Sequence, residues 1–324
     1  MESELSAHKR ALLKRYLRQD VPTIGALVPP VAPVERASSA HPRVPVVAIQ
    51  RGGSRRPFFY LHVHWQGGAT YCFTLAHKLG REQPVYLLDP YRFDDLPAPP
   101  TIETMAADYI QSLRSVQPEG PYLLGGFCGA SVIAYEMAQQ LRAQRQGIDL
   151  LVFVEPMAGP IELSRLSGRL VRRLGPRLGL DSGKQLDWFL RLRHLLKVIR
   201  RTKDEFTEGA DRLMREWCAE RGRRCSVLPP AGALRLDWLA EFAWPVSGYV
   251  PAPYQDPMTY LLASDNPDRR QLWWGKPKPG PNVEIYMVPG DNETCRTVYA
   301  NELTDRLGWC ISRAQNRLAA SPAS

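Results

Sequence analysis

Residues 121–141 read PYLLGGFCGASVIAYEMAQQL. Tyr122-Leu123-Leu124 is a short apolar run, Gly125 and Gly126 follow it, and a sharp turn carries Phe127, Cys128 and Gly129. Ile133, Met137 and Leu141 then recur at i, i+4 and i+8, one face of a helix. The stretch predicts a buried strand that turns abruptly into a helix, with a thiol at the corner.

That layout is the strand–turn–helix of the G-x-S-x-G motif, in which a nucleophile stands clear of a sheet on a strained turn. Here it reads Gly126-Phe127-Cys128-Gly129-Ala130, with Cys in the nucleophile position and Ala in the last small position. The residues two before and two after the nucleophile must be small so that strand and helix can approach, and Gly126 and Ala130 meet that need. The backbone N–H of Gly129 would then point to where an oxyanion forms. Taken alone, the turn is also compatible with a small buried core cysteine.

Working outward, further short apolar runs read as buried strands: Val46 to Ile49, Phe58 to Leu61, Val85 to Leu88, Leu150 to Val154, Thr259 to Ala263 and Val283 to Val288. Helical stretches fall at about 70–80, 102–115, 130–145 and 298–316. This alternation predicts an α/β fold, a mainly parallel sheet with helices on both faces. Residues 160–245 break the pattern: they are Arg-rich, mostly helical, and carry Trp188, Phe189, Leu192, Leu195, Leu196 and Ile199. The expected organisation is a core of 46–156 and 251–316 with a helical lid at 157–250. Residues 1–45 precede it as a short amphipathic basic helix (4–18) and a linker with six prolines between Val21 and Pro45.

The chain has 324 residues, with Lys+Arg 42 against Asp+Glu 33, a net charge of +9. The surplus favours an acidic partner. No finger, RNA-binding or helix-turn-helix signature points to nucleic acid. The six cysteines (Cys72, Cys128, Cys218, Cys225, Cys295 and Cys310) form no C-x-x-C pair, so no zinc or redox motif is read and no metal is expected. Met1-Glu2-Ser3-Glu4 is polar and acidic, not the start of a secretory leader, and no apolar run is long enough for a membrane span. The expected location is a reducing cytoplasm.

Over roughly 45–310 the sequence resembles the α/β-hydrolase thioesterases of non-ribosomal peptide and polyketide assembly lines. The resemblance rests on Val47-Ala48-Ile49-Gln50-Arg51-Gly52-Gly53, on Phe58-Phe59-Tyr60-Leu61-His62 with Gly67-Gly68, on the turn at Cys128 with Ala134-Tyr135-Glu136-Met137-Ala138, and on Pro289-Gly290-Asp291. The segment 4–18 is similar to those at the ends of peptide-synthetase modules. The resemblance implies an α/β-hydrolase fold, no bound cofactor, a substrate held as a thioester on a phosphopantetheine arm, and an acyl or peptidyl carrier protein as partner. It puts Cys128 at the nucleophile, a position where the family sometimes uses Cys. It implies an oxyanion hole from the N–H groups of Gly129 and Val63. Glu155, at the end of the strand after the elbow helix, falls on the acid, where the family more often has Asp. Asp265, at the end of the next strand, is the alternative acid.

The base departs from the family. Its His follows Gly-Asp near the C-terminus, and here Gly290-Asp291 is followed by Asn292. The six histidines are His8, His41, His62, His64, His77 and His194, and none lies beyond Asp265. Asn can orient a thiol but cannot take up a proton. Three origins stay open: an engineered His-to-Asn replacement, a natural enzyme that works without this His, or a protein that has lost catalysis and only binds. His64, two residues after His62, is the alternative base. A Cys nucleophile converts one thioester into another nearly thermoneutrally, so acyl transfer, aminolysis or cyclisation is expected ahead of hydrolysis.

Overall fold

The computed structural model describes residues 44–62, 70–93, 96–156, 161–204, 231–266 and 282–319. The expected N-terminal helix and linker lie outside the described residues, apart from Val44 and Pro45, as do Val63 and His64. The chain divides into a unit of residues 1–41 and a unit of residues 42–324; the fold below is that of the second.

Seven strands form one sheet: β1 (Val46–Gln50), β2 (Phe58–Leu61), β3 (Val85–Leu88), β4 (Tyr122–Phe127), β5 (Ile148–Val154), β6 (Met258–Ala263) and β7 (Val283–Val288). Their order is β1-β3-β2-β4-β5-β6-β7. Only β1 runs antiparallel to its neighbour; β2 to β7 are parallel. The fold is the α/β-hydrolase arrangement. The central strands are the most apolar: all of FFYL in β2 and all of YLLGGF in β4 are buried. Parallel strands covered on both faces read as continuous hydrophobic runs and not as alternation. The edge strand β7 alternates between half-buried and exposed positions until Val288.

Helices α1 (Thr70–Leu79), α2 (Ile102–Arg114) and α3 (Ala130–Ala143) follow β2, β3 and β4. α3 packs on α2, and α1 packs on the C-terminal α9 (Ala300–Ala319). Thr101 caps α2 by accepting from the Thr104 N–H at 3.3 Å. α3 buries Ile133, Met137 and Leu141, the stripe expected from the sequence. Each such side chain contributes about 1.5–3 kcal/mol of transfer free energy, so α3 is pinned firmly and the turn at its start is held with it.

Between β5 and β6 the described residues are helical: α4 (Ile161–Leu174), α5 (Ser182–Asp204), α6 (Ala231–Leu234) and α7 (Trp238–Gly248). They build a second small core from Val171, Leu186, Phe189, Leu190, Ala240, Ala243 and Trp244. Trp238 joins this layer to the sheet. Its ring stacks on Phe93 at 5.4 Å and on Phe242 at 4.7 Å, and its Nε1–H donates to the Tyr91 carbonyl at 2.8 Å. Phe189 is core, whereas its neighbour Trp188 is largely exposed.

Two element boundaries differ from expectation. β4 continues through Gly125 and Gly126 to Phe127, because both glycines pair in the ladder, opposite Tyr60 and Leu61 on β2. The C-terminal helical region starts earlier and in two pieces, α8 (Thr294–Thr297) and α9. The Asp291 side chain sets the start of α8: its Oδ1 accepts from the Glu293 and Thr294 N–H groups at 3.0 and 2.7 Å. No helix among the described residues is long and apolar enough to cross a membrane.

Candidate active site

Four neighbouring strands end on one edge of the sheet, and each carries a residue of interest there. β4 leads into Cys128, whose N–H donates to the Val154 carbonyl at 2.9 Å. β5 leads into Glu155, whose N–H donates to the Leu261 carbonyl at 2.9 Å. β6 leads into Ser264 and Asp265, which donate to the carbonyls of Val288 and Gly290, each at 2.8 Å. β7 leads through Gly290 and Asp291 to Asn292. The ladder bonds thus run one step past the strands and fix the relative heights of these residues.

Cys128 has φ 49 and Glu155 has φ 43. For a residue with a Cβ this left-handed backbone costs about 1–2 kcal/mol, and such strain persists where the surroundings impose it. At Cys128 the surroundings are β4 and α3. The Ser131 N–H donates to the Cys128 carbonyl at 3.2 Å, and Ser131 Oγ donates to the Gly126 carbonyl at 3.0 Å. A Cβ at Gly126 would lie 2.9 Å from Ser131 Cα and 3.1 Å from the Ala130 carbonyl oxygen. The small residue two before the thiol therefore does what the motif's sterics require. The turn is a built elbow that presents a half-buried thiol.

Residues 60–159, which span the elbow and both flanking strands, match the family model for the thioesterase domain. Residues 60–159 are thioesterase-like. A dimodular nonribosomal peptide synthase of Bacillus subtilis (strain 168) is 34% identical over 141 residues, 42% of this chain and 6% of that protein. A non-reducing polyketide synthase of Cladonia metacorallifera is 33% identical over 172 residues, 51% of this chain and 8% of that protein. The chain thus matches only a small part of these curated relatives. Among solved structures, the NocB thioesterase domain from the nocardicin cluster is 22% identical with a TM-score of 0.48, covering 83% of this chain and 97% of that one.

Burial pushes the Cys128 thiol above its ordinary range, and the nearby Gly129 N–H and Asn292 side chain pull it partly back. Glu155 pushes the thiol further up, and the Arg296 guanidinium pulls it down. Arg296 also lies 5.6 Å from the centroid of the Phe127 ring, on which His62 stacks at 5.2 Å. By contrast, burial drives Cys72 and Cys295 to about 12 and Cys310 to about 11. Cys128 is the thiol among these with both access and donors.

This electrostatic balance sets the reactivity expected of Cys128. Its rate of alkylation by iodoacetamide should inflect at a pH above the free-thiol value of about 8.5. Asn292→Ala removes a group that favours the ionised thiol and should move the inflection higher still. Peptide-resolved mass spectrometry across a pH series measures both; an inflection at or below the free-thiol value would contradict the assigned environment.

Glu155 is buried, and its carboxylate is fully engaged: Oε1 accepts from the Ala263 N–H, and Oε2 accepts from Asn266 Nδ2 at 2.6 Å. Among the described residues Asn292 makes no hydrogen bond to Glu155; its side chain lies near enough to the Cys128 thiol to favour the ionised form. Asp265 is exposed and accepts from Ser264 Oγ at 2.8 Å. Asn266 is a site residue that the sequence reading missed, and its adjacency to Asp265 at a strand end was the only available signal.

Burial raises the Glu155 carboxyl above its usual value, with the nearby Asp291 adding to the rise, while the Ala263 and Asn266 bonds oppose it. The native state therefore holds this proton to a higher pH than the unfolded chain does. The associated stability is present below the unfolded value of about 4.3 and is lost as pH rises through the higher folded value. Glu155→Gln removes that loss, so the stability of the variant relative to wild type should grow as pH goes from 4 to 7. Urea unfolding at stepped pH measures it; a pH-independent difference would show that Glu155 is not strained by ionisation.

Proposed function

We propose that this chain is an acyl-transferring thioesterase domain of assembly-line biosynthesis, with Cys128 as its acyl acceptor. The observation that carries the reading is the elbow itself: a half-buried thiol at φ 49, held between β4 and α3 by the Ser131 bonds to Cys128 and Gly126. The substrate is an acyl or aminoacyl thioester on the phosphopantetheine arm of a carrier protein, a partner that the net charge of +9 suits. The matches to a peptide synthase and a polyketide synthase support this setting.

In the first step the Cys128 thiol gives up its proton and its sulfur attacks the thioester carbonyl. The carbonyl oxygen takes the negative charge and is met by the Gly129 N–H at the start of α3. The arm's sulfur then leaves with its bonding electrons and takes the proton, and the acyl group remains on Cys128. In the second step a thiol, amine or hydroxyl attacks the acyl-Cys128 carbonyl, and the Cys128 sulfur leaves and is reprotonated. Asn292 positions the sulfur in both steps but accepts no proton. Water is a poor acceptor without a base, so the acyl-enzyme outlasts encounters with water and is released by transfer, aminolysis or cyclisation. The helices between β5 and β6 act as the lid that shields it, and a reducing compartment such as the cytoplasm keeps the thiol free.

Intact-protein mass spectrometry with a panel of small acyl thioesters tests the reading. A mass increase that maps to Cys128 is expected. No adduct with any acyl group, together with unchanged thioester lifetime, would leave a carrier-binding module in its place.

A further inference from the structure

A cleft of about 670 Å³ opens between α4 and the end of α7. Its walls are Arg165, Arg169, Arg172 and Arg173 on one side and residues 247–251 on the other, with no carboxylate among the described lining residues. Arg165, Arg169 and Arg172 stand at i, i+4 and i+7, one face of α4. The ion pairs found among the described residues include none to these four arginines.

Arg172 is held in place. Its Cζ lies 3.8 Å from the centroid of the Trp244 ring, and its Nη2 donates to the Trp244 carbonyl at 2.7 Å. A Cβ at Gly248 would meet the Arg172 guanidinium at 3.0 to 3.1 Å, so glycine is what lets the flat group lie there. Partial burial lowers the Arg172 pKa, the mark of a cation short of solvent and counter-charge. The far wall of the cleft is tied to the elbow helix. Tyr249 donates its hydroxyl to Glu136 at 2.7 Å, and Tyr135 donates to the Ala252 carbonyl at 2.6 Å. Glu136 follows Cys128 by eight residues, about 12 Å along α3.

We infer that this cleft is a phosphate-ester site, and that the ester it takes is the one at the root of the phosphopantetheine arm whose thioester reacts at Cys128. Four guanidiniums around one cavity, with no ion-pair partner among the described residues, repel each other, and an anion between them removes that repulsion. A tetrahedral phosphate offers several acceptor oxygens to forked donors arriving from different directions, which one carboxylate does not. Assignment to the arm rests on the acyl-transfer reading; phosphate-ester binding does not.

Calorimetry on the full chain compares phosphopantetheine, its methyl phosphodiester and pantetheine. The two phosphorylated probes should bind about tenfold more tightly than pantetheine. In the double variant Arg165→Gln/Arg169→Gln that margin should collapse; both side chains face the cleft, so thermal unfolding should be unchanged. Equal binding of all three probes, or a margin that survives the double variant, overturns the site. Binding of the monoester but not the diester would keep the phosphate site and overturn its assignment to a protein-linked arm. Because none of these measurements needs turnover, a missing Cys128 adduct would count against the acyl-transfer reading and leave the site standing.

Discussion

Replacing Asn292 with histidine should raise hydrolytic release of the acyl group from Cys128 by about 10²–10⁴-fold, the usual contribution of a positioned general base. The Asp291 turn, with Thr294 Oγ1 donating to Asp291 Oδ1 at 2.7 Å, fixes the backbone that carries position 292. The Asn292 side chain is near enough to the Cys128 thiol from there to favour its ionised form. An imidazole from the same backbone position would lie close to the acyl group and could take the proton of an attacking water. Glu155, buried at the end of β5, would favour the resulting imidazolium by its charge while keeping its bonds to Ala263 and Asn266. The lifetime of acyl-Cys128, followed by mass spectrometry after rapid mixing, reads the effect. A lifetime unchanged from that of the wild type would mean that position 292 is not the place of a missing base.

Cys128→Ser should reduce acyl-enzyme formation by about 10³-fold or more, a larger loss than the same exchange costs an enzyme that has its histidine. A thiol is partly ionised near neutral pH and needs little help, whereas a hydroxyl needs a base to remove its proton as it attacks. Here the groups near the sulfur, the Gly129 N–H and the Asn292 side chain, stabilise negative charge but do not remove a proton. The double variant Cys128→Ser/Asn292→His should therefore recover much of the loss, and the two substitutions should be strongly non-additive. Acylation rates of wild type, both single variants and the double variant complete the cycle. A serine variant that acylates as fast as the wild type would show that another group deprotonates the nucleophile.

Much of the fold was legible because its strands are buried on both faces. Phe58 to Leu61 and Val85 to Leu88 read as apolar runs and appear as strands at the same residues. The stripe Ile133, Met137 and Leu141 was equally plain, since one side of a helix under a sheet must be apolar. The glycines were harder. Gly125 and Gly126 look like a break in the strand, yet they pair with β2 as the last part of β4, because a central parallel strand can hold glycine where neighbouring side chains crowd.

The candidate site divides in the same way. That Cys128 stands on a tight turn, that Glu155 ends a strand and that no histidine follows Asp265 could all be read along the chain, because spacing and composition are one-dimensional. Which group each side chain meets could not. Glu155 accepts from Ala263 and Asn266, and the Asn292 side chain lies near the Cys128 thiol. Those pairings join residues more than a hundred positions apart, and strand register alone brings them together. The Arg-rich stretch shows the same limit: in the sequence it is a charge run, and only the packing of α4 against the end of α7 gathers four of its arginines around one cleft. Local sequence determined which elements form and which chemical groups they carry. The tertiary structure decided which of those groups touch, because hydrogen bonds and charge balance act over a few ångströms of space, whatever the separation along the chain.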